Sequence, residues 1–112
     1  MTRLVACDID GTLLDGSTAI APAVFTQIRR LSRLGVYFRP ASGRQYSSLR
    51  RLFAPVAGQL SCLCENGAVV FGPGDPGPIL SKTEMAREQA LALCRDILAL
   101  PRCEVLISGA NT

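Results

Sequence analysis

Leu4-Val5-Ala6-Cys7-Asp8-Ile9-Asp10-Gly11-Thr12-Leu13-Leu14 decides the fold. Arg3 to Ile9 is a continuous apolar run broken only by its charged ends, the pattern of a buried parallel strand. Two carboxylates, Asp8 and Asp10, stand at the mouth of that strand and are followed by a turn glycine. In a parallel α/β sheet ligands bind at the carboxyl ends of the strands. The motif therefore lies where chemistry is expected.

Outward from this stretch, the chain alternates. Gly11 to Ala19 reads as a polar loop. Pro22 opens a helix at the one position where a missing N–H costs nothing, with Val24, Ile28, Leu31 and Leu34 as its apolar stripe and Gly35 as its stop. Val36 to Phe38 is a second strand, and Arg39 to Arg44 a strand end and turn. Tyr46, Leu49, Leu52 and Phe53 mark a second helix, stopped near Pro55. Leu60 to Cys64 is a third strand. Val69 to Phe71 and Ile79-Leu80 flank the Gly/Pro-rich tip Gly72 to Pro78 as a β-hairpin. A third helix is expected with Ser81 or Thr83 as cap and Glu84 closing a capping box on Ser81. Its stripe is Ala86, Ala90, Leu93, Ile97 and Leu100. Glu104 to Ile107 would be one more strand. Strands and helices joined by short links predict an α/β fold, a Rossmann-like parallel sheet with flanking helices.

Bulk properties narrow the function. The 112 residues make about one domain. Hydrophobic content of 48% with 19% charged residues is globular. No apolar run reaches membrane-spanning length, and Met1-Thr2-Arg3 has no signal-peptide architecture, so a cytoplasmic protein is expected. The net charge is +3, from eleven arginines and one lysine against nine acids. Arg29, Arg30 and Arg33, and Arg50 and Arg51, read as solvated helix faces, because a nucleic-acid surface brings higher charge or interleaved aromatics. No nucleic-acid or membrane partner is expected. Histidine is absent, which removes Ser-His and Cys-His hydrolase mechanisms. Without histidine or a C-x2-C pair the five cysteines do not suggest zinc. They read as free thiols in a reducing compartment.

Three polar clusters should converge from three strand ends: Asp8 and Asp10; Ser42, Gly43 and Arg44; and Glu65, Asn66 and Gly67. A carboxylate can attack a phosphoryl group. A second, held neutral, can protonate the leaving oxygen and later activate water. Paired carboxylates also hold Mg2+. Gly11 allows close backbone approach to a phosphate. Ser42 and Arg44 can donate to phosphoryl oxygens. Taken singly, Ser42 can also be read as a turn serine and Arg44 as a helix surface residue, and Asn66-Gly67 reads first as a hairpin turn with function secondary. An EF-hand reading fails, because Leu13 and Ala19 stand where a glycine and a glutamate belong.

Asp8-Ile9-Asp10-Gly11-Thr12-Leu13-Leu14, Leu34-Gly35, Ala41-Ser42-Gly43-Arg44 and Glu65-Asn66-Gly67-Ala68, in this order, resemble the haloacid dehalogenase-like hydrolases, and among them the Cof-type phosphatases. The resemblance implies Asp8 as nucleophile and Mg2+ ligand. Asp10 would be acid and base and lend its backbone carbonyl to the metal. Thr12 would set the loop and Ser42 hold the transferring phosphoryl group. Arg44 and Asn66 would stand at the site edge. It implies a partial core over residues 1–82, the start of an α+β cap over 83–112, and a small phosphorylated metabolite as partner. The family's later lysine and Gly-Asp-rich loop have no counterpart: Lys82 is the only lysine, and no aspartate follows Asp96. The chain is therefore expected to be an amino-terminal portion with little activity alone, and its first strand an exposed edge prone to self-association. The alternative is a non-catalytic binding or oligomerising module of the same ancestry.

Overall fold

The structure, a computed structural model, describes residues 1–109. Strand β1 (Leu4–Asp8) leads to helix α1 (Pro22–Arg33), strand β2 (Tyr37–Ala41), helix α2 (Tyr46–Leu52) and a 3-10 segment (Ala54–Gln59). Strands β3 (Cys62–Cys64), β4 (Val69–Phe71) and β5 (Ile79–Lys82) follow, and helix α3 (Arg87–Leu98) comes last. The five strands form one sheet in the order β1-β2-β3-β4-β5. β1, β2 and β3 are parallel, and β3, β4 and β5 continue as an antiparallel meander. The predicted α/β sheet is thus present, but mixed.

Both βαβ crossovers step the same way, so right-handedness puts α1 and α2 on one face. The core lies there. Ile28 from α1, Leu49 from α2, Phe38 from β2 and Phe53, Val56 and Leu60 beyond α2 form one cluster with Ile9 and Leu14. Phe53 is its hub, 6.3 Å from the Phe25 ring and 6.2 Å from the Phe38 ring between centroids. The hairpin of β4 and β5 is tied down by Tyr46, whose ring stacks on Phe71 at 3.6 Å. The Gly77 N–H donates to the Tyr46 hydroxyl at 2.7 Å.

Helix α1 begins and ends as its sequence requires. Pro22 stands in its first turn. At its end Gly35 takes φ +73°, and the Gly35 and Val36 N–H groups donate to Ser32 and Leu31 carbonyls, both at 3.0 Å. This is a Schellman closure. Leu34, expected in the stripe, instead occupies the C-cap and is 72% exposed.

Several expectations are corrected. β1 is not buried on both faces: among the described residues it stands at the sheet edge, as the exposed-edge expectation has it, and only Val5 and Cys7 pack against the core. β2 runs on to Ala41, past Pro40, so Ser42 sits immediately after its last residue. The third-helix capping box does not form. Ser81 pairs within β5, Glu84 makes an ion pair with Lys82 at 2.7 Å, and α3 starts at Arg87 after Ala86 without a side-chain cap. Glu104 to Ile107 forms no strand, because no neighbouring strand among the described residues offers its backbone a ladder. α3 buries no residue fully. Residues 110–112 of the expected cap segment lie outside the described residues. No described helix is long and apolar enough to cross a membrane.

Candidate active site

Asp8 ends β1 and pairs in register with Ala41 of β2, while Ala41 pairs with Leu63 of β3. The three strand ends therefore lie side by side. After Asp8 the chain turns tightly, with Gly11 at φ +79°. The Leu14 and Thr12 N–H groups donate to the Ile9 carbonyl at 2.8 and 3.2 Å, and the Gly11 N–H donates to the Leu14 carbonyl at 3.0 Å. Buried Ile9 and Leu14 anchor both ends of the turn. Gly11 thus serves the turn itself, and its own N–H is already committed. The Thr12 hydroxyl donates to Asp8 Oδ2 at 2.9 Å. That bond orients the exposed Asp8 carboxylate and leaves its second oxygen without a partner among the described residues.

The second and third clusters are joined backbone to backbone. The Ser42 N–H donates to the Leu63 carbonyl at 3.1 Å, the Asn66 N–H to the Ser42 carbonyl at 3.0 Å, and the Glu65 N–H to the Arg44 carbonyl at 3.1 Å. Glu65 and Asn66 reach these positions in the left-handed region, at φ +52° and +56°. Gly43 packs closely on Asn66: a Cβ there would lie 3.0 Å from Asn66 Oδ1, so any larger residue would require the Asn66 side chain to give way. Ser42 is buried. Its Oγ accepts the Arg44 N–H at 3.0 Å, which leaves the hydroxyl proton free for an anion. Asn66-Gly67 does connect β3 to β4 as a hairpin turn, and the same turn also braces Ser42.

Arg44 is the site's main departure from expectation. Its guanidinium clasps Asp10 with two parallel bonds, Nε to Oδ2 at 2.9 Å and Nη2 to Oδ1 at 2.7 Å. Nη1 lies 3.5 Å from the Ser48 hydroxyl. This is the bidentate fork that suits arginine and carboxylate. The hydrogen bond from Arg44, reinforced by its charge, holds the Asp10 carboxyl below its ordinary pKa. Asp10 is therefore in its ionised form here, and the fork faces a carboxylate rather than open space.

A polar clasp that sequence reasoning did not single out adjoins this edge. The Gln45 side-chain amide donates to Ser108 Oγ at 2.7 Å, and the Ser108 hydroxyl donates to Glu65 Oε1 at 2.6 Å. Gln45 and Glu65 flank quoted motifs, but nothing local connects them to Ser108, which is 43 residues beyond Glu65. Behind the clasp, a groove of about 570 Å3 runs between β4, α3 and residues 105–109, with Met85, Leu93, Ile97 and Ile107 among its apolar lining.

For a metal, the site offers hard oxygen donors: the free Asp8 oxygen and the exposed carboxylate of Asp10. This donor type suits Mg2+. Among the described residues no group of three or more acidic, cysteine or histidine side chains converges as a ready-made cage. The site can therefore hold such an ion only with water, substrate oxygens or further ligands completing its shell.

Comparison with known proteins places the fold and the family. The 5-amino-6-(5-phospho-D-ribitylamino)uracil phosphatase YbjI of Escherichia coli (strain K12) is 28% identical over 111 residues, 98% of this chain and 40% of that protein. A crystal structure from Eubacterium rectale superposes with a TM-score of 0.73 at 37% identity, over 88% of this chain and 37% of that one. A haloacid dehalogenase-like hydrolase from B. subtilis shares the fold, with a TM-score of 0.74 at 23% identity over 88% and 34% of the two chains. The chain thus spans between about a third and two fifths of the length of these relatives. Residues 5–112 match the family described as haloacid dehalogenase-like hydrolase, and the chain belongs to that family.

Proposed function

We propose that the chain carries the nucleophile and acid–base half of an Mg2+-dependent phosphomonoester hydrolase acting on small phosphorylated metabolites. The observation that carries the reading is the Asp8 carboxylate. Thr12 fixes it at a strand end, one strand away from Ser42 and two residues before Asp10. An Asp8 oxygen attacks phosphorus, and the bond from phosphorus to the leaving oxygen breaks, giving an aspartyl phosphate. Asp10 gives the leaving oxygen its proton, then takes one from the water that attacks phosphorus. Phosphate leaves and the Asp8 carboxylate is restored. The Ser42 hydroxyl and a released Arg44 would hold phosphoryl oxygens, with Gly11, Gly43 and Asn66 keeping the loops in place. Mg2+, held by Asp8 and by Asp10 or its backbone carbonyl, would offset charge between the anionic nucleophile and the anionic substrate. Because Arg44 keeps Asp10 ionised, the resting site is set for the base step, and the acid step requires the fork to let go.

Residues 1–82 then form part of a catalytic core, and 83–112 the beginning of a cap, acting in the cytoplasm. Losing one preorganised charge at such a site costs roughly 10²–10³ in rate. The 112 residues lack both the family's lysine and its later acidic loop, so turnover by this chain should be slow. The test is Mg2+-dependent phosphate release from p-nitrophenyl phosphate. Slow release that disappears in Asp8→Asn is expected. Release that ignores both Mg2+ and Asp8→Asn refutes the reading, and vigorous Asp8-dependent turnover refutes the claim of a weakened site.

The sheet edge favours a second behaviour. Among the described residues β1 has no partner on its outer side, and Leu4 is 40% exposed. Such an edge templates strand pairing. Self-association should follow, and light scattering showing a monomer across the micromolar range would overturn it.

A further inference from the structure

Beside the Arg44–Asp10 pair lies an open cleft of about 400 Å3, lined by Thr18, Ala19, Arg44, Ser48, Arg51 and Leu52. Every polar side chain in that lining can donate hydrogen bonds, and none is a carboxylate. Arg51 projects from α2 with no ion-pair partner among the described residues. The Thr18 hydroxyl is likewise unengaged there, in a loop whose shape is set by the Ser17 hydroxyl donating to the Ala19 carbonyl at 3.1 Å. Of the two arginines in the lining, Arg44 is already paired with Asp10 at 2.7 Å. Arg51 therefore leaves an uncompensated positive charge, framed by two hydroxyls and floored by Leu52 and Ala19. This donor set fits phosphate or carboxylate oxygens and repels a cation.

We infer that this cleft is a second anion site, taking a phosphate or carboxylate group that the substrate carries in addition to the phosphoryl group it loses. The inference rests on the phosphatase reading only for that last clause; the anion site itself does not need it. It names the substrate class: phosphomonoesters with a second anionic group. Arg44 links the two sites, since its fork holds Asp10 while its Nη1 faces Ser48.

The experiment has two arms on the 112-residue chain. In the first, inorganic phosphate is titrated without Mg2+ and followed by backbone amide NMR, in the parent and in Arg51→Gln. Shifts centred on residues 18–19, 48 and 51 are expected, with affinity falling about tenfold or more in R51Q, the scale of one charge-assisted hydrogen bond. Shifts confined to residues 8–12 and 42–44, or equal affinity in R51Q, would overturn the site. In the second arm, with Mg2+, a hexose bisphosphate is compared with inorganic phosphate. Binding at least tenfold tighter for the bisphosphate, and lost in R51Q, supports a substrate-borne anion. Equal affinity means that the cleft takes free anions only, and overturns the substrate-class assignment. Neither arm measures turnover, so the failure of either leaves the p-nitrophenyl phosphate result standing, and the reverse also holds.

Discussion

Phe53→Ala tests the platform on which the site stands. Phe53 is fully buried and touches Phe25 of α1 edge-on, with the two ring planes at 77°, and Phe38 of β2. It thus joins the helix that follows β1 to the strand that delivers Ser42. Truncating a buried Phe costs about 3–5 kcal/mol, the cavity included. A domain of this size has ~5–15 kcal/mol in total, and one with an unpaired edge strand and exposed apolar side chains belongs in the lower part of that range. At roughly 2 cal/mol/K of unfolding entropy per residue, each kcal/mol moves the melting point by about 4 °C. F53A should therefore melt about 12–20 °C below the parent by far-UV circular dichroism. Leu34→Ala, at the exposed end of α1, should melt within about 2 °C of it. A Phe53→Ala protein melting within about 5 °C of the parent would refute Phe53 as the hub of the core.

Other expectations concern charge, close packing and thiols. Arg44→Ala should let the Asp10 carboxyl pKa rise towards the ordinary carboxylate value, read by carboxyl-carbon NMR; an unmoved titration would show the fork to be electrostatically idle. The same pair stabilises the fold above the unfolded Asp pKa, and that contribution is lost as pH falls through the depressed folded value. Acid unfolding of R44A should accordingly lack this component. Gly77→Ala would place a Cβ 1.8 Å from the Gly72 carbonyl oxygen, forcing the β4–β5 hairpin open at a cost of roughly 1–3 kcal/mol, measurable as a lowered urea midpoint. Burial pushes the Cys62 thiol up to about 12 and the Cys64 thiol up to about 11, whereas Cys103 is exposed. Iodoacetamide at pH 8 should label Cys103 in the folded chain and reach Cys62 and Cys64 only on unfolding, a pattern that peptide mass mapping would confirm or contradict.

Much of the fold and the candidate site was legible because it is local. Pro22 and Gly35 bracket α1 by backbone chemistry alone, and the ends of β1 and β3 follow from apolar runs that stop at Asp8 and Glu65, whereas β2 continues through Arg39 and Pro40 to Ala41. The failures have a common physical source, namely partners distant in sequence. β1 reads as doubly buried, but its environment depends on what covers it. Glu104 to Ile107 has strand composition without a neighbouring ladder. Arg44 presents a guanidinium in any reading, yet only the fold brings it to Asp10, 34 residues earlier. Ser81 and Glu84 have capping-box spacing, but β4 claims Ser81 first. The clasp at Ser108 has no signature shorter than the distance it spans.

The sheet's spatial order is also its order in the chain. Each strand docks on the one before it, so loop-closure entropy is met in small steps rather than in one long search. Asp8 is fixed when β2 arrives and Ser42 when β3 arrives, and Asn66 is placed by the turn that begins β4. A ribosome releasing this segment from its amino terminus can therefore assemble the surroundings of Asp8 progressively. The candidate site's edge can thus form in the order in which it is translated.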